Sequence, residues 1–172
     1  MLGVIDRIEE QDGLEWQERI TYEFEQLLLR EKAAQSDIYH LFQLWNEARG
    51  GELFPNENSF VVGNQIPEEL SRRIGLADVT PDDPGKYQML IHGGRTFAGI
   101  QGRPIEEFPS RLNVELVASE YWRCKFSGAP FYSEIDQNLN CSTRHYFRGL
   151  FPVGEGSKVT KIFLAYRLVS QD

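Results

Sequence analysis

The period of the apolar positions changes along the chain. Trp16, Ile20, Phe24, Leu27 and Leu28 are spaced four, four, three and one residues apart, which lays one apolar stripe along a helix of residues 14–34 whose other face is charged. Ser36 then reads as a helix N-cap. Ile38, Leu41, Phe42 and Trp45 repeat the helical spacing until Gly50 and Gly51 stop it. Pro55, Asn56 and Asn58 mark a loop over 52–63, and Pro67 at a first turn predicts a short third helix over 67–73.

Beyond residue 75 the spacing shortens to that of strands. Leu76–Thr80 and Lys86–His92 flank a turn rich in Pro, Asp and Gly, and Tyr87, Met89 and Ile91 share one face of the second segment. That is an antiparallel hairpin. After an irregular piece, Val114, Val117, Ala118, Tyr121 and Trp122 predict a helix over 113–126, closed by Gly128 and Pro130. Three strands finish the chain, at 131–139, 144–151 and 159–169, and their short connections favour an antiparallel meander. The predicted class is α+β: a five-stranded antiparallel sheet with helices inserted after its second strand, residues 1–36 as an N-terminal helical extension and 37–172 as the domain.

A length of 172 residues suits one domain, and 41% hydrophobic residues suffice for a core. Eighteen Lys and Arg against 26 Asp and Glu give a net charge of -8, a surface that repels phosphate backbones, so no nucleic-acid partner is expected. No segment approaches the apolar length of a membrane span, no signal-peptide core precedes Asp6, Glu9 and Glu10, and Cys124 and Cys141 lack zinc or disulfide-framework spacing. The expectation is a soluble cytoplasmic protein with reduced thiols.

Leu44-Trp45, Arg49-Gly50-Gly51 and Pro55, then Leu76-Ala77-Asp78-Val79 and Tyr87, then Gly102-Arg103, Tyr121, Gly128-Ala129-Pro130 and Phe151-Pro152 recur in order over residues 40–168. In this the chain resembles a largely uncharacterised bacterial PAS-like family that often occurs as a single short chain. The segment between Gly93 and Gly102 is shorter than that family's. The resemblance implies a PAS-like sheet, a sensory or interaction role and pairing through a helix that precedes the sheet. It implies neither haem nor flavin, since 113–126 holds no histidine and no Asn-Cys-Arg run occurs.

Little in the sequence points to catalysis. GxSxG, phosphate-loop and dinucleotide patterns are missing, and His40, His92 and His145 have no ligand-type i, i+4 histidine. No metal or cofactor is expected, and the chain is read as a non-enzyme. Cys124 reads as a small buried hydrophobe. Tyr87, Met89, Tyr121, Trp122, Phe126, Tyr132, Tyr146 and Phe163 are the candidate lining of a small-organic-ligand pocket between helix and sheet, with an aromatic core as the bland alternative. His92 and Arg148 add polar contacts if their faces point inward. The function so inferred is a non-catalytic sensory or protein-interaction module with a partner signalling protein, homodimeric through the N-terminal stripe. The alternative is a small cone-shaped-pocket enzyme similar to ketosteroid isomerase, with Asp136 as base and Tyr132 or Tyr146 as donor.

Overall fold

The computed structural model describes residues 4–9, 15–24, 37–60, 72–92, 100–139 and 141–171. Its strands are β1 (Val4–Glu9), β2 (Trp16–Glu23), β3 (Ile74–Asp78), β4 (Gln88–His92), β5 (Phe131–Leu139), β6 (Ser142–Glu155) and β7 (Lys158–Gln171). Its helices are α1 (Asp37–Arg49) and α2 (Arg111–Ser127). The strands form one antiparallel sheet in the order β1-β2-β5-β6-β7-β3-β4. From β3 onward the chain makes a hairpin, passes through α2, and returns as the meander β5-β6-β7, whose last strand pairs with β3.

The sheet carries a helix on each face. A Cβ at Gly149 of β6 would fall 2.7 Å from Ile38 of α1, whereas the neighbouring Arg148 is bound to Glu120 of α2. Because side chains alternate across a strand, the ladder extends this division to the neighbouring strands. Tyr132, Phe147, Phe151 and Phe163 share the α1 side, while Ile135, Tyr146, Leu150 and Leu164 share the α2 side. Ile38, Ile135, Phe151 and Ile162 have no exposed surface, and each such side chain stabilises the fold by about 1.5–3 kcal/mol.

Residues 16–23 are a strand, which corrects the predicted helix over 14–34 and raises the strand count from five to seven; Leu27 and Leu28 lie outside the described residues. A spacing of four is also two strand periods, so Trp16, Ile20 and Phe24 fall on one face of an extended chain as readily as on one side of a helix. Pairing with β5 decides the outcome. It sets Tyr22 beside Tyr132, and Phe24 just beyond the strand stacks on Phe42 of α1 at 4.5 Å. In between, Gln17, Arg19 and Thr21 are buried although polar.

The remaining elements match their sequence signals within a few residues. Ser110 caps α2 by accepting from the Asn113 amide, and Gly128 ends it in the left-handed region at φ 62°. Trp45 donates its indole N–H to the Pro152 carbonyl at 2.7 Å, tying α1 to β6. A 3-10 turn over Pro84–Lys86 delays the start of β4 to Gln88, and another over Ile105–Glu107 precedes α2. Most of the third predicted helix, 67–71, lies outside the described residues, and Arg72 and Arg73 are in a turn.

Candidate functional site

Where α2 crosses the sheet, the apolar pattern is interrupted by charge. Leu112, Leu116, Val117, Glu120, Tyr121 and Cys124 form the buried face of α2, so its helical spacing drives one carboxylate onto the strands. Glu120 meets two guanidinium groups there, Arg19 of β2 at 2.8 Å and Arg148 of β6, which binds its other oxygen. Glu120 and Arg148 are 7% and 9% exposed. Two cations thus hold the two oxygens of one carboxylate.

Around it lies a polar belt on the same face. Tyr146 donates to Gln137 at 3.1 Å, the Thr21 and Ser133 hydroxyls are 3.2 Å apart, and Ser110 donates to Glu15 at 2.7 Å. Burial, helped by the neighbouring Arg19 cation, pulls Arg148 down to about 9; it remains charged at neutral pH. Burial pushes the Tyr121 and Tyr146 phenols and the Cys124 thiol upward, so all three stay protonated there.

A cavity of about 40 Å³ opens beside Arg148. Met89, Ile100, Phe108, Val117 and Leu164 form its apolar wall, and Asn113, Tyr121, Tyr146, Arg148 and Tyr166 its polar wall. At roughly 10–15 Å³ for each water-sized group, it has room for about three. Typical drug-sized sites run to some hundreds of Å³, so this volume suits a very small guest. Arg148 Nε has no hydrogen-bond partner among the described residues.

Of the eight predicted lining residues, Met89, Tyr121 and Tyr146 line this cavity. Tyr87 is buried on the same side of the sheet, with Lys125 5.4 Å from its ring centre. The other four are corrected. Trp122 and Phe126, 45% and 67% exposed, lie against each other with tilted rings on the outer side of α2, 4.6 Å apart and one turn along it. Tyr132 and Phe163 fall on the α1 side because of strand parity, where they pack against Phe147 and Phe60. Arg148 does point inward, and the side chain of His92 lies outside the described residues. Arg19 and Glu120 escaped sequence reading because a charged residue on a buried face breaks the very periodicity used to find buried faces.

Asp136 and Tyr146, proposed partners in an isomerase-like site, lie on opposite faces of the sheet; Asp136 is at the surface, 2.6 Å from His145 Nδ1. The other candidate donor, Tyr132, is buried among aromatic rings. A second hollow, of about 270 Å³, lies on the α1 side against Phe24, Phe42, Trp45, Arg49, Leu53 and Pro130. Among the described residues no group of three or more His, Cys, Asp and Glu side chains is placed to hold a metal, and no helix is long and apolar enough to cross a membrane. No known family model, curated protein or solved structure is significantly similar to this chain.

Proposed function

We propose that the chain is a non-catalytic sensory or protein-interaction module of PAS-like architecture, which admits a small organic ligand between α2 and the sheet and acts through a partner protein. The observation that carries this reading is the cavity with a buried cation in its wall, set at the helix–sheet interface. Strand order supports it. Without β1 and β2, the sheet reads β5-β6-β7-β3-β4 with α2 inserted after the hairpin, the arrangement implied by the PAS resemblance. The helix that roofs the cavity also carries Trp122 and Phe126 outward, a surface suited to a partner whose binding responds to the position of α2.

Amide spectra of the full chain, recorded while small organic fragments are added, test the reading. The Met89, Val117 and Leu164 resonances are expected to shift together and saturably for at least one fragment, and Val117→Phe, which fills the cavity, is expected to abolish the shift. A fragment set that leaves all three unmoved overturns the ligand site.

A further inference from the structure

The hollow of about 270 Å³ against α1, on the face of the sheet opposite α2, is built from rings. Phe24, Phe42 and Trp45 line it as a near-parallel row, with 6° between the planes of the first two and 20° between the second and third. Leu53, Ala129 and Pro130 complete its apolar wall. An apolar space of about 150 Å³ takes a benzene ring, so this hollow has room for a ring and a substituent. A flat aromatic guest meets aromatic side chains by stacking or edge contact and gains beyond the area it buries.

The polar edge of the hollow consists of donors. Asn46 Oδ1 accepts from Arg49 Nε at 2.8 Å, and Arg49 Nη1 donates to the Glu52 carbonyl at 2.9 Å. Both acceptors are neutral. The guanidinium carbon sits 5.6 Å from the Trp45 ring centre, so the group is fixed in orientation while its Nη2 and the Asn46 amide NH2 face a guest as donors. Arg49 is the one charged side chain among the described residues that line the hollow, and it forms no ion pair with any of them. A cation held in this way gives an anion a charge-assisted hydrogen bond without the cost of ordering a free side chain.

We propose that this hollow takes a small aromatic carboxylate of about benzoate size, its ring against Phe42 and Trp45 and its carboxylate on Arg49 and Asn46. The site stands whether or not the cavity beneath α2 takes a ligand.

Benzoate, its neutral isostere benzamide and the non-planar cyclohexanecarboxylate separate the contributions of charge and ring. Each is titrated into the full chain in chloride at constant ionic strength and read from the Trp45 indole N–H and the Asn46, Leu53 and Ala129 amides. Benzoate is expected to bind saturably with a Kd of roughly 0.1–1 mM, as suits a ligand of so few atoms. Benzamide is expected to bind roughly tenfold more weakly for want of the charge-assisted bond, and cyclohexanecarboxylate roughly three- to tenfold more weakly for want of the flat ring. Arg49→Gln is expected to bring benzoate down to the level of benzamide and to leave benzamide unchanged. Should Arg49→Gln fail to fold, Leu53→Glu places a carboxylate on the wall at a position 61% exposed, and is expected to weaken benzoate more than benzamide. Val117→Phe, in the cavity beneath α2, is expected to change neither. Equal binding of benzoate and benzamide, or benzoate binding unchanged in Arg49→Gln, overturns the carboxylate assignment. Equal binding of cyclohexanecarboxylate and benzoate overturns the aromatic one. Resonances unmoved by all three ligands, or benzoate binding lost in Val117→Phe, overturn the site.

Discussion

Glu120 is the residue on which the buried charges depend. Among the described residues it bridges Arg19 on β2 and Arg148 on β6, so removing it takes away the carboxylate that both buried guanidinium groups hold. Glu120→Ala is therefore expected to lower unfolding stability by about 3–5 kcal/mol, read from the urea midpoint. Replacing all three side chains at once, as Arg19→Met, Glu120→Leu and Arg148→Met, is expected to cost less than the single change, because apolar packing then removes every desolvated charge. A single substitution milder than the triple would show that the triad is not a balanced unit.

At the scale of elements, β2 completes the core where a helical extension was expected. It covers the edge of β5 along Phe131–Asn138 and brings Tyr22 and Phe24 onto the aromatic cluster of Phe42, Tyr132 and Phe151. A chain beginning at Ser36 would expose that edge and those rings. It is expected to aggregate or fail to fold, whereas an appended helix could be removed leaving a soluble domain; light scattering of the two chains decides. The strands 131–139 and 159–169 and the helix 113–126 were legible in the sequence because one period dominates each. The N-terminal segment was not, because the spacing of four between Trp16, Ile20 and Phe24 satisfies both periods. The candidate site was half legible for a related reason. Parity says that Tyr132 and Phe163 alternate with their neighbours, but which face lies beneath α2 is set by tertiary packing.

For the whole molecule, the buried phenols set an upper limit of pH. Burial first, then Asp82 and Asp83, pushes Tyr87 up to about 12, and burial raises Tyr121 and Tyr146 as well. Each folded value lies above the unfolded one of about 10, so above that pH the unfolded chain releases protons that the native state retains. Their stabilising contribution is complete below pH about 10 and is lost as pH rises towards and through 12. Arg148 acts in the opposite sense, since its folded value is lowered to about 9 and stability gains between there and its unfolded value. Three phenols against one guanidinium give a net loss. Urea midpoints are expected to fall between about pH 9 and pH 11, with the ring resonances of Tyr87, Tyr121 and Tyr146 showing ionisation only together with unfolding; ionisation of these three rings that precedes unfolding contradicts their burial.

The segment before α2 has a different consequence, for polymerisation. Along the outer side of β4, Met89 already accepts from the Gly102 amide at 2.6 Å and donates to the Arg103 carbonyl at 3.4 Å, and Tyr87 accepts from the Ile105 amide at 2.8 Å. A foreign strand finds that stretch of ladder taken. Growth of a fibre by edge-to-edge addition needs two receptive edges on every subunit, one to continue each side. Among the described residues the β1 side carries no such pairing, and two subunits joined along it would consume each other's valence. Strand addition confined to the β1 side would therefore end at a closed pair, as a monofunctional reagent ends a polymer chain.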